Sequence, residues 1–310
     1  MKKILGIDLG GTFIKGGIVC ENGEITVAEQ VETEKEKGYE HVIQKISRLC
    51  SSLTEKAQIE FTDISAVGIA CPGIVDSEKG VVVTNCNLGW KNQAVVNDLG
   101  KLTQKRVFLL NDANAAVYGE YKFGEVKFNS AVLLTLGTGI GSGIIKDGKL
   151  IDSEYGHMVL RTNGRKCSCG RSGCFERYAS ATALISDAKK EIKKNPNSQL
   201  AKSGIDGKIV FEAYKNGDIA AKKIVDSYVE YLAEGIAKIA FLTNPDLVLI
   251  GGGVAYAGGV LFEPLKKAVE KKVCLNTSLL KFKIMPATLG NNAGIYGAAA
   301  FALDKTNKKE

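Results

Sequence analysis

The feature of the sequence that most restricts the fold is a pattern that occurs twice. An apolar strand runs into a glycine-rich turn, a second strand and a hairpin, first over 2–31 (KKILGIDLGG and TFIKGGIVCENGEITVAEQV) and again over 130–151 (SAVLLTLGTGIGSGIIKDGKLI). With a gap of two residues, Leu9 matches Leu136 and Asn22-Gly23 matches Asp147-Gly148. The repeat predicts two domains of similar build, each opening with a turn that could hold a phosphate group.

Strands and helices alternate along the chain, which predicts an α/β fold. Apolar runs that end in turn residues predict strands over 64–73, 105–112 and 245–255. Helices are predicted over 38–56, 113–124, 217–243 and 293–305.

The domain division is less marked, because no low-complexity linker separates the two halves. We expect the chain to cross between domains near 110–120. The prediction is a small N-terminal domain over 1–115 and a larger domain over 116–295. A C-terminal helix over about 296–310 is expected to pack back on the first domain.

Charge and hydropathy argue against two classes of partner. The net charge of +7 suits a polyanionic small molecule such as ATP, but no concentrated basic face or nucleic-acid reading motif is visible. No apolar run reaches the length of about 18 residues that a membrane span needs. Asp8 interrupts the apolar start MKKILGIDLGG, and no small-residue cleavage site follows. We therefore expect a cytoplasmic protein without nucleic-acid or membrane partners.

Three glycine-rich turns each follow a strongly apolar strand, at DLGGT (8–12), TLGTGIG (135–141) and IGGGV (250–254). Glycine lets backbone N–H groups approach a phosphate, although one such turn alone is more typical of an ordinary hairpin. None has the G-x-x-x-x-G-K-[ST] form of a P-loop. The second turn leads into a strand rather than a helix, which argues against a dinucleotide-binding Rossmann unit.

A cluster of thiols lies in RKCSCGRSGCFERY (165–178), and His157 precedes it. The pattern H-x₉-C-x-C-x₄-C offers one imidazole and three thiolates, a closed tetrahedral set that predicts a structural Zn²⁺ site at His157, Cys167, Cys169 and Cys174. A disulfide would leave one thiol over, and a redox pair is usually C-x-x-C. The remaining alternative is a loop in which these side chains merely pack together.

The other five cysteines are scattered, and we expect them to be small buried apolar residues of a reducing compartment. They are Cys20, Cys50, Cys71, Cys86 and Cys274.

Asp112 ends the apolar run FLLND, at the edge of a sheet where α/β sites usually lie. A carboxylate there could orient a hydroxyl nucleophile and accept its proton. The same residue opens the following helix, so it could instead serve only as the helix N-cap. The local sequence leaves both interpretations open.

Taken together, DLGGT, EYGHM (154–158) and CSCGRSGCFERYAS (167–180) resemble the ROK family of repressors, open reading frames and kinases over nearly the whole chain. The resemblance implies two ribonuclease-H-like domains of the actin-like ATPase type, with a cleft between them. It also implies ATP and Mg²⁺ as cofactors beside the structural zinc. The cysteine loop is most similar to the glucokinase branch of the family.

The resemblance assigns roles residue by residue. Asp112 becomes the catalytic base and Asp8 lies near Mg²⁺, while Lys15 either reaches a phosphate or decorates the hairpin. The sugar is bound by Asn111, Glu154, His157 and Glu176. The nucleotide is held by Gly10, Gly11, Thr12, Gly137, Thr138, Gly139, Gly252 and Gly253.

The implied activity is an ATP-dependent hexose kinase, a glucokinase acting on the 6-hydroxyl of glucose. The alternative within the enzymes is a kinase of N-acetylmannosamine or of another amino sugar. Cys71 in ACPG (70–73) departs from the Gly or Val that many relatives have in this loop near the sugar. A sugar-responsive repressor would need a helix-turn-helix segment before DLGGT, for which we see no room. The zinc loop argues against an actin-like chaperone or filament. The family also implies a homodimer or homotetramer.

Overall fold

The computed structural model describes residues 1–202, 204–273 and 281–307. Contacts between residues divide the chain into two units. The first unit comprises Met1–Lys127 and Thr288–Glu310, and the second comprises Phe128–Ala287.

The elements are given in chain order. The first unit begins with β1 (Lys3–Leu9), β2 (Phe13–Cys20), β3 (Ile25–Glu32), α1 (Tyr39–Lys56), β4 (Ile64–Cys71), β5 (Ile74–Asp76), β6 (Val81–Asn85), β7 (Trp90–Gln93), α2 (Val95–Thr103), β8 (Val107–Asn111) and α3 (Asp112–Phe123). The second unit contains β9 (Ala131–Leu136), β10 (Ile140–Lys146), β11 (Lys149–Ile151), α4 (Glu176–Ala179), α5 (Ala181–Lys194), α6 (Gly207–Lys215), α7 (Ile219–Thr243), β12 (Leu247–Gly251), α8 (Gly259–Lys272) and β13 (Lys283–Pro286). The chain then returns to the first unit as α9 (Ala293–Asn307).

Both units are built on a five-stranded sheet of the same topology. The strand order is β3-β2-β1-β4-β8 in the first and β11-β10-β9-β12-β13 in the second. In each sheet the first three strands are antiparallel neighbours and the last three are parallel. The prediction of two similarly built domains from the repeated pattern is therefore confirmed.

Both faces of strand β1 are buried. Because side chains alternate across a strand, its residues contribute to two different cores. Leu5, Ile7 and Leu9 join the core formed with α1 and α2. Ile4 joins a second core formed with α9. Asp8 has the same parity as Ile4, so the alternation places its carboxylate on the α9 face of the sheet.

Helix α9 approaches its neighbours so closely that only glycine fits at several positions. A Cβ atom at Gly6 of β1 would lie 2.3 Å from the Ile295 carbonyl oxygen. Gly119 of α3 and Gly297 of α9 allow α3 and α9 to pack backbone against backbone, and a Cβ at Gly297 would lie 1.7 Å from the Ala115 carbonyl oxygen. The α3–α9 pair therefore forms a rigid support behind the parallel strands.

Gly297→Ala is expected to lower the free energy of unfolding by about 3 kcal/mol, because the added methyl group overlaps backbone that cannot move aside. The measurement is the midpoint of urea unfolding. Gly207→Ala is the matched control, since Gly207 also lies in a helix but has no atom within 4 Å of the added Cβ. Equal midpoints for the two variants would contradict this account of the α3–α9 contact.

The long helix α7 organises the core of the second unit. The Asp218 side chain caps its start by accepting a hydrogen bond from Ala221 N, and Asn244 ends it with φ of 42°. Phe175, fully buried, lies against Gly235, where a Cβ would approach the ring to 2.2 Å. Phe175 directly precedes α4, so this contact anchors the end of the cysteine-rich loop.

The predicted strands and helices are present with boundaries shifted by a few residues. The first unit extends to Lys127 and resumes at Thr288, beyond the predicted limits of 115 and 296, because α3 packs on α9. The small sheet of β5, β6 and β7 was not predicted. Within the described residues, no helix combines the length and the apolar character that crossing a bilayer requires.

Candidate functional site

The carboxyl ends of the parallel strands β1, β4 and β8 meet at one edge of the first sheet. Asp8 is in register with Ala70 of β4, and Cys71 of β4 is in register with Asn111 of β8. Asp112 follows as the first residue of α3. The strand order therefore brings Asp8 and Asp112, which are far apart in the sequence, to the same edge of the sheet.

Asn111, rather than Asp112, is the N-cap of α3. Its Oδ1 accepts hydrogen bonds from Ala113 N and Asn114 N at 2.9 and 3.2 Å, and its Nδ2 donates to the Gly73 carbonyl at 3.0 Å. Asp112 Oδ1 accepts a hydrogen bond from Ala113 N at 2.9 Å. Because Asn111 satisfies the free N–H groups of the first turn, Asp112 is not required as the cap.

Burial sets the acidity of both carboxylates. It raises the pKa of Asp8 to about 6, against the opposing effect of Lys15 and with a further rise from the charge of Asp112. Burial also raises the pKa of Asp112, partly offset by hydrogen bonds from the backbone and from Asn111. The charged state of both neighbouring carboxyl groups is therefore disfavoured, and a divalent cation bound beside them would stabilise that state.

We expect Asp8→Asn to stabilise the protein at neutral pH in magnesium-free buffer. The folded-state pKa of Asp8 lies above its ordinary value of 3.8, so stability associated with the protonated form is lost as pH rises through about 6. Removing the charge should raise the free energy of unfolding by roughly 2 kcal/mol near neutrality, with the gain vanishing below about pH 4. Urea unfolding at both pH values tests this, and a gain that does not change with pH would contradict it. Asp226→Asn, on the surface of α7, is the control.

The first glycine turn is fixed by hydrogen bonds to its backbone. Gly10 N donates to Phe13 O at 2.9 Å, and the buried Thr33 hydroxyl donates to Gly10 O at 2.7 Å. Gly11 and Thr12 lie at the tip between β1 and β2. Lys15 is the cross-strand partner of Asp8, and its Nζ donates to Asn291 O at 3.3 Å. The turn is thus preorganised beside Asp8.

The second and third glycine turns lie close together in the second unit. Gly137 N donates to Gly139 O at 3.0 Å across the tip that also contains Thr138. Gly252 has φ of 84°, and a Cβ there would lie 2.5 Å from Leu136 O. Because position 252 is glycine, the third turn, which continues into Gly253, can contact the end of β9, the strand that precedes the second turn. A Cβ at Gly139 would lie 2.4 Å from Glu176 Oε2, so this turn also meets α4.

The four predicted metal ligands lie together. One ligand atom from each of His157, Cys167, Cys169 and Cys174 can be chosen so that all lie within 4.8 Å of one another. Cys167 Sγ is 3.7 Å from His157 Nδ1, and the sulfurs of Cys169 and Cys174 are 3.6 Å apart. Tetrahedral Zn²⁺ bonded at about 2.3 Å to sulfur and 2.0 Å to nitrogen has ligand atoms about 3.5 to 3.8 Å apart. The residues therefore fit the ion.

Backbone hydrogen bonds and side-chain contacts both shape the cysteine-rich loop around these ligands. Gly173 has φ of 85°, and its carbonyl accepts hydrogen bonds from Leu160 N and Arg161 N. Arg165 lies over the ring of Tyr178 at 4.7 Å and pairs with Asp187 at 2.8 Å. The loop is held at its start and at its end, which leaves the thiols facing one another.

The predicted sugar-binding residues adjoin the thiol cluster. Glu176, the first residue of α4, accepts a hydrogen bond from Cys167 Sγ at 3.0 Å, and its Oε1 is 3.9 Å from His157 Nδ1. Glu154 directly precedes the 3₁₀ turn Tyr155–His157, and its backbone carbonyl accepts a hydrogen bond from His157 N at 3.0 Å. Burial and the bond to Glu176 raise the pKa of the Cys167 thiol to about 12.

Several residues that shape the site were not predicted. A Cβ at Gly294 would lie 2.5 Å from Asp8 Cγ. Asn85, 2% exposed, donates to Pro72 O at 2.7 Å and orders the loop after β4. These contacts join distant parts of the chain, so no local pattern announces them.

The scattered cysteines differ among themselves. Cys20, Cys50 and Cys71 are buried as expected, and burial raises the pKa of Cys71 to about 12, so its thiol stays neutral. Cys86 is exposed, and its predicted burial was wrong because it lies in the turn that follows β6. Cys274 lies outside the described residues.

Comparison with known proteins identifies the family of the chain. The ROK family model matches residues 4–305. The chain belongs to the ROK family. This ROK protein is 37% identical to a glucokinase from Thermotoga maritima, with 98% of each chain covered. An N-acetylmannosamine kinase from Escherichia coli O157:H7 is 29% identical and covers 96% of this chain and 97% of its own.

The fold of the ROK protein is that of solved family members. The crystal structure of a ROK family glucokinase from Streptomyces griseus, in complex with glucose and AMPPNP, matches it with a TM-score of 0.82 at 30% identity. The match covers 97% of this chain and 99% of that chain. The predicted fold class, a mixed α/β protein of the ROK sugar kinase type with two domains, is confirmed.

Proposed function

We propose that this ROK protein is an ATP-dependent hexose kinase that phosphorylates the 6-hydroxyl of glucose. The observation that carries the proposal is the placement of Asp112. It is a half-buried carboxylate at the carboxyl edge of the parallel strands, and the neighbouring Asn111 performs the capping role. The full-length similarity to glucokinases supports glucose as the substrate.

In the proposed reaction, the oxygen of the sugar hydroxyl attacks the γ-phosphorus of ATP while Asp112 accepts the hydroxyl proton. The bond between the γ-phosphorus and the bridging oxygen breaks, and ADP leaves. Burial raises the pKa of Asp112, which makes it a better base than an ordinary aspartate. We also assign Asn111 to the sugar, since its side chain lies beside Asp112 and is held in place by the hydrogen bond from Nδ2 to the Gly73 carbonyl.

The three glycine turns are assigned to the nucleotide. Backbone N–H groups at the first two turns would bind phosphate oxygens, and the third turn would pack against adenosine. The nucleotide-binding residues in this proposal are Gly10, Gly11, Thr12, Lys15, Gly137, Thr138, Gly139, Gly252 and Gly253.

Asp8 is the residue that would hold Mg²⁺, through the water molecules that this ion tends to keep. Asp8 and Asp112 lie at the same edge of the sheet, which fits a cation. Bound Mg²⁺ neutralises charge on the phosphates. Asp8 orients the hydrated ion, and Lys15 balances the charge of Asp8.

The sugar is assigned to Glu154, His157 and Glu176, and Zn²⁺ to the four ligands described above. His157 uses Nδ1 toward the thiols, which leaves Nε2 to face a hydroxyl. A zinc-bound Cys167 thiolate has no proton to donate, so metal binding would release Glu176 for the sugar. Zinc in this proposal fixes the loop and takes no part in phosphoryl transfer. A set of three reduced thiols also suits the cytoplasm, where we place the protein.

The family resemblance further suggests a homodimer or homotetramer, which light scattering of the purified chain can test. A protein with the mass of one chain at working concentration would remove this part of the proposal.

The experiment that tests the function is ADP release from ATP and Mg²⁺ with glucose, N-acetylmannosamine, N-acetylglucosamine, fructose or no sugar. We expect strong turnover with glucose. Turnover confined to N-acetylmannosamine would move the substrate to the alternative that a 29% identical relative represents. Sugar binding without any turnover would instead indicate a sugar-responsive regulator.

A further inference from the structure

Glu120 is a buried carboxylate that the proposed reaction does not use. It is 2% exposed and lies in α3, two turns after Asp112. Its Oε1 accepts hydrogen bonds from Thr288 N at 2.6 Å and Leu289 N at 2.7 Å, and its Oε2 accepts one from Thr288 Oγ1 at 2.7 Å. Burial of a carboxylate is tolerated when several donors satisfy it, so these bonds hold residues 288 and 289 firmly.

The segment held by Glu120 continues directly to the residues beside Asp8. Leu289 begins the 3₁₀ turn Gly290–Asn292, and Asn291 O accepts the hydrogen bond from Lys15 Nζ. Gly294, at the start of α9, lies against the Asp8 carboxyl group. A displacement of residues 288–294 would therefore move the contacts of both Asp8 and Lys15.

Helix α3 connects this segment to the proposed base. A Cβ at Gly119 would lie 2.9 Å from Ala293 O, so α3 touches the start of α9 beside Glu120. Asp112 is at the N-terminal end of the same helix. Helix α3 thus carries Asp112 at its start and, through Glu120, holds the segment 288–294 that lies against Asp8.

We propose that Glu120 is a positioning residue for the nucleotide-bound magnesium ion. It fixes residues 288–294 so that Asn291 and Gly294 set the places of Lys15 and Asp8. This inference rests on the proposed function, because it assumes that Asp8 and Lys15 face the metal–nucleotide complex. Glu120 itself touches neither substrate nor metal.

The test compares Glu120→Ala with Glu120→Gln in the full chain. Alanine removes all three hydrogen bonds. Glutamine can keep both bonds to N–H groups through its amide oxygen, and its NH₂ group can donate to the Thr288 hydroxyl, so it should restore most of the function. Calorimetry would measure AMPPNP binding with and without Mg²⁺, and glucose binding separately.

We expect Glu120→Ala to weaken Mg²⁺-dependent AMPPNP binding at least about tenfold, because a buried charged acceptor is lost. Glucose binding should be unchanged in Glu120→Ala, and Glu120→Gln should bind AMPPNP nearly as wild type does. Equal losses in the alanine and glutamine variants, or an equal loss of glucose binding, would show a merely structural role and overturn the inference.

A second pair of variants keeps the test decisive if Glu120→Ala does not fold. Thr288→Val removes only the hydroxyl donor, and Thr288→Ser retains it. We expect AMPPNP binding to depend less on Mg²⁺ in Thr288→Val than in Thr288→Ser. The same Mg²⁺ dependence of AMPPNP binding in both variants would overturn the inference. A wild-type chain that binds no AMPPNP with Mg²⁺ would instead overturn the proposed function itself.

Discussion

Replacing Asp112 by Asn should lower kcat by between about 10² and 10⁴-fold, because the amide cannot accept the proton of the attacking hydroxyl. Asn is nearly isosteric with Asp, and the Asn111 cap of α3 does not involve the changed group. Glucose affinity should therefore be kept. The measurements are steady-state ADP release and calorimetric titration of glucose.

Asp226→Asn is the matched control for this prediction. Asp226 pairs with Lys222 on the exposed face of α7, so the same chemical change there should leave kcat unaltered. Normal turnover in Asp112→Asn would remove Asp112 from the role of base. A loss of glucose binding together with turnover would assign Asp112 to substrate binding instead.

Cys169→Ser should abolish tight zinc binding and weaken glucose binding in the same variant. Serine is a poor zinc ligand, and losing one of four ligands should reduce metal affinity more than about 100-fold. Without the metal, the loop that carries His157 and ends at Glu176 loses its cross-link. Zinc per chain by elemental analysis and glucose binding by calorimetry are the two measurements.

Cys86→Ser provides the control, since Cys86 is an exposed thiol of the first unit with no role in the cluster. It should retain both zinc and glucose. Undiminished glucose affinity in a zinc-free Cys169→Ser protein would contradict the role of the metal as a scaffold. Zinc that is lost only after prolonged treatment with a chelator would agree with a closed site.

Much of the fold could be predicted because its strongest signals are local. Strands β1, β9 and β12 are nearly continuous apolar runs, as expected for strands with two buried faces. The repeat of strand, turn and hairpin gave the two matching sheets. The strands of the small sheet, β5 to β7, are three to five residues long with mixed burial, which leaves too little periodicity to detect.

The parts of the candidate site that depend on local sequence could be predicted as well. The spacing of the cysteines predicted the cluster, and the position of Asp112 after an apolar strand predicted its place at the sheet edge. The sequence could not assign the N-cap to Asn111 rather than Asp112, since both residue types cap helices well. The contacts of Glu120 and Gly294 depend on the return of the chain after residue 287, and no short-range pattern encodes them.

The split of the first unit has a consequence for biosynthesis. During translation the ribosome makes β1, β4 and β8, then the entire second unit, and only afterwards α9. Until α9 emerges, the face of the nascent sheet that bears Ile4, Val19 and Ala66 lacks the helix that covers it. Domains tend to fold as units while they are synthesised, so the second unit can complete its core first. The first unit would wait for its last helix, and chaperones would be needed most during this interval.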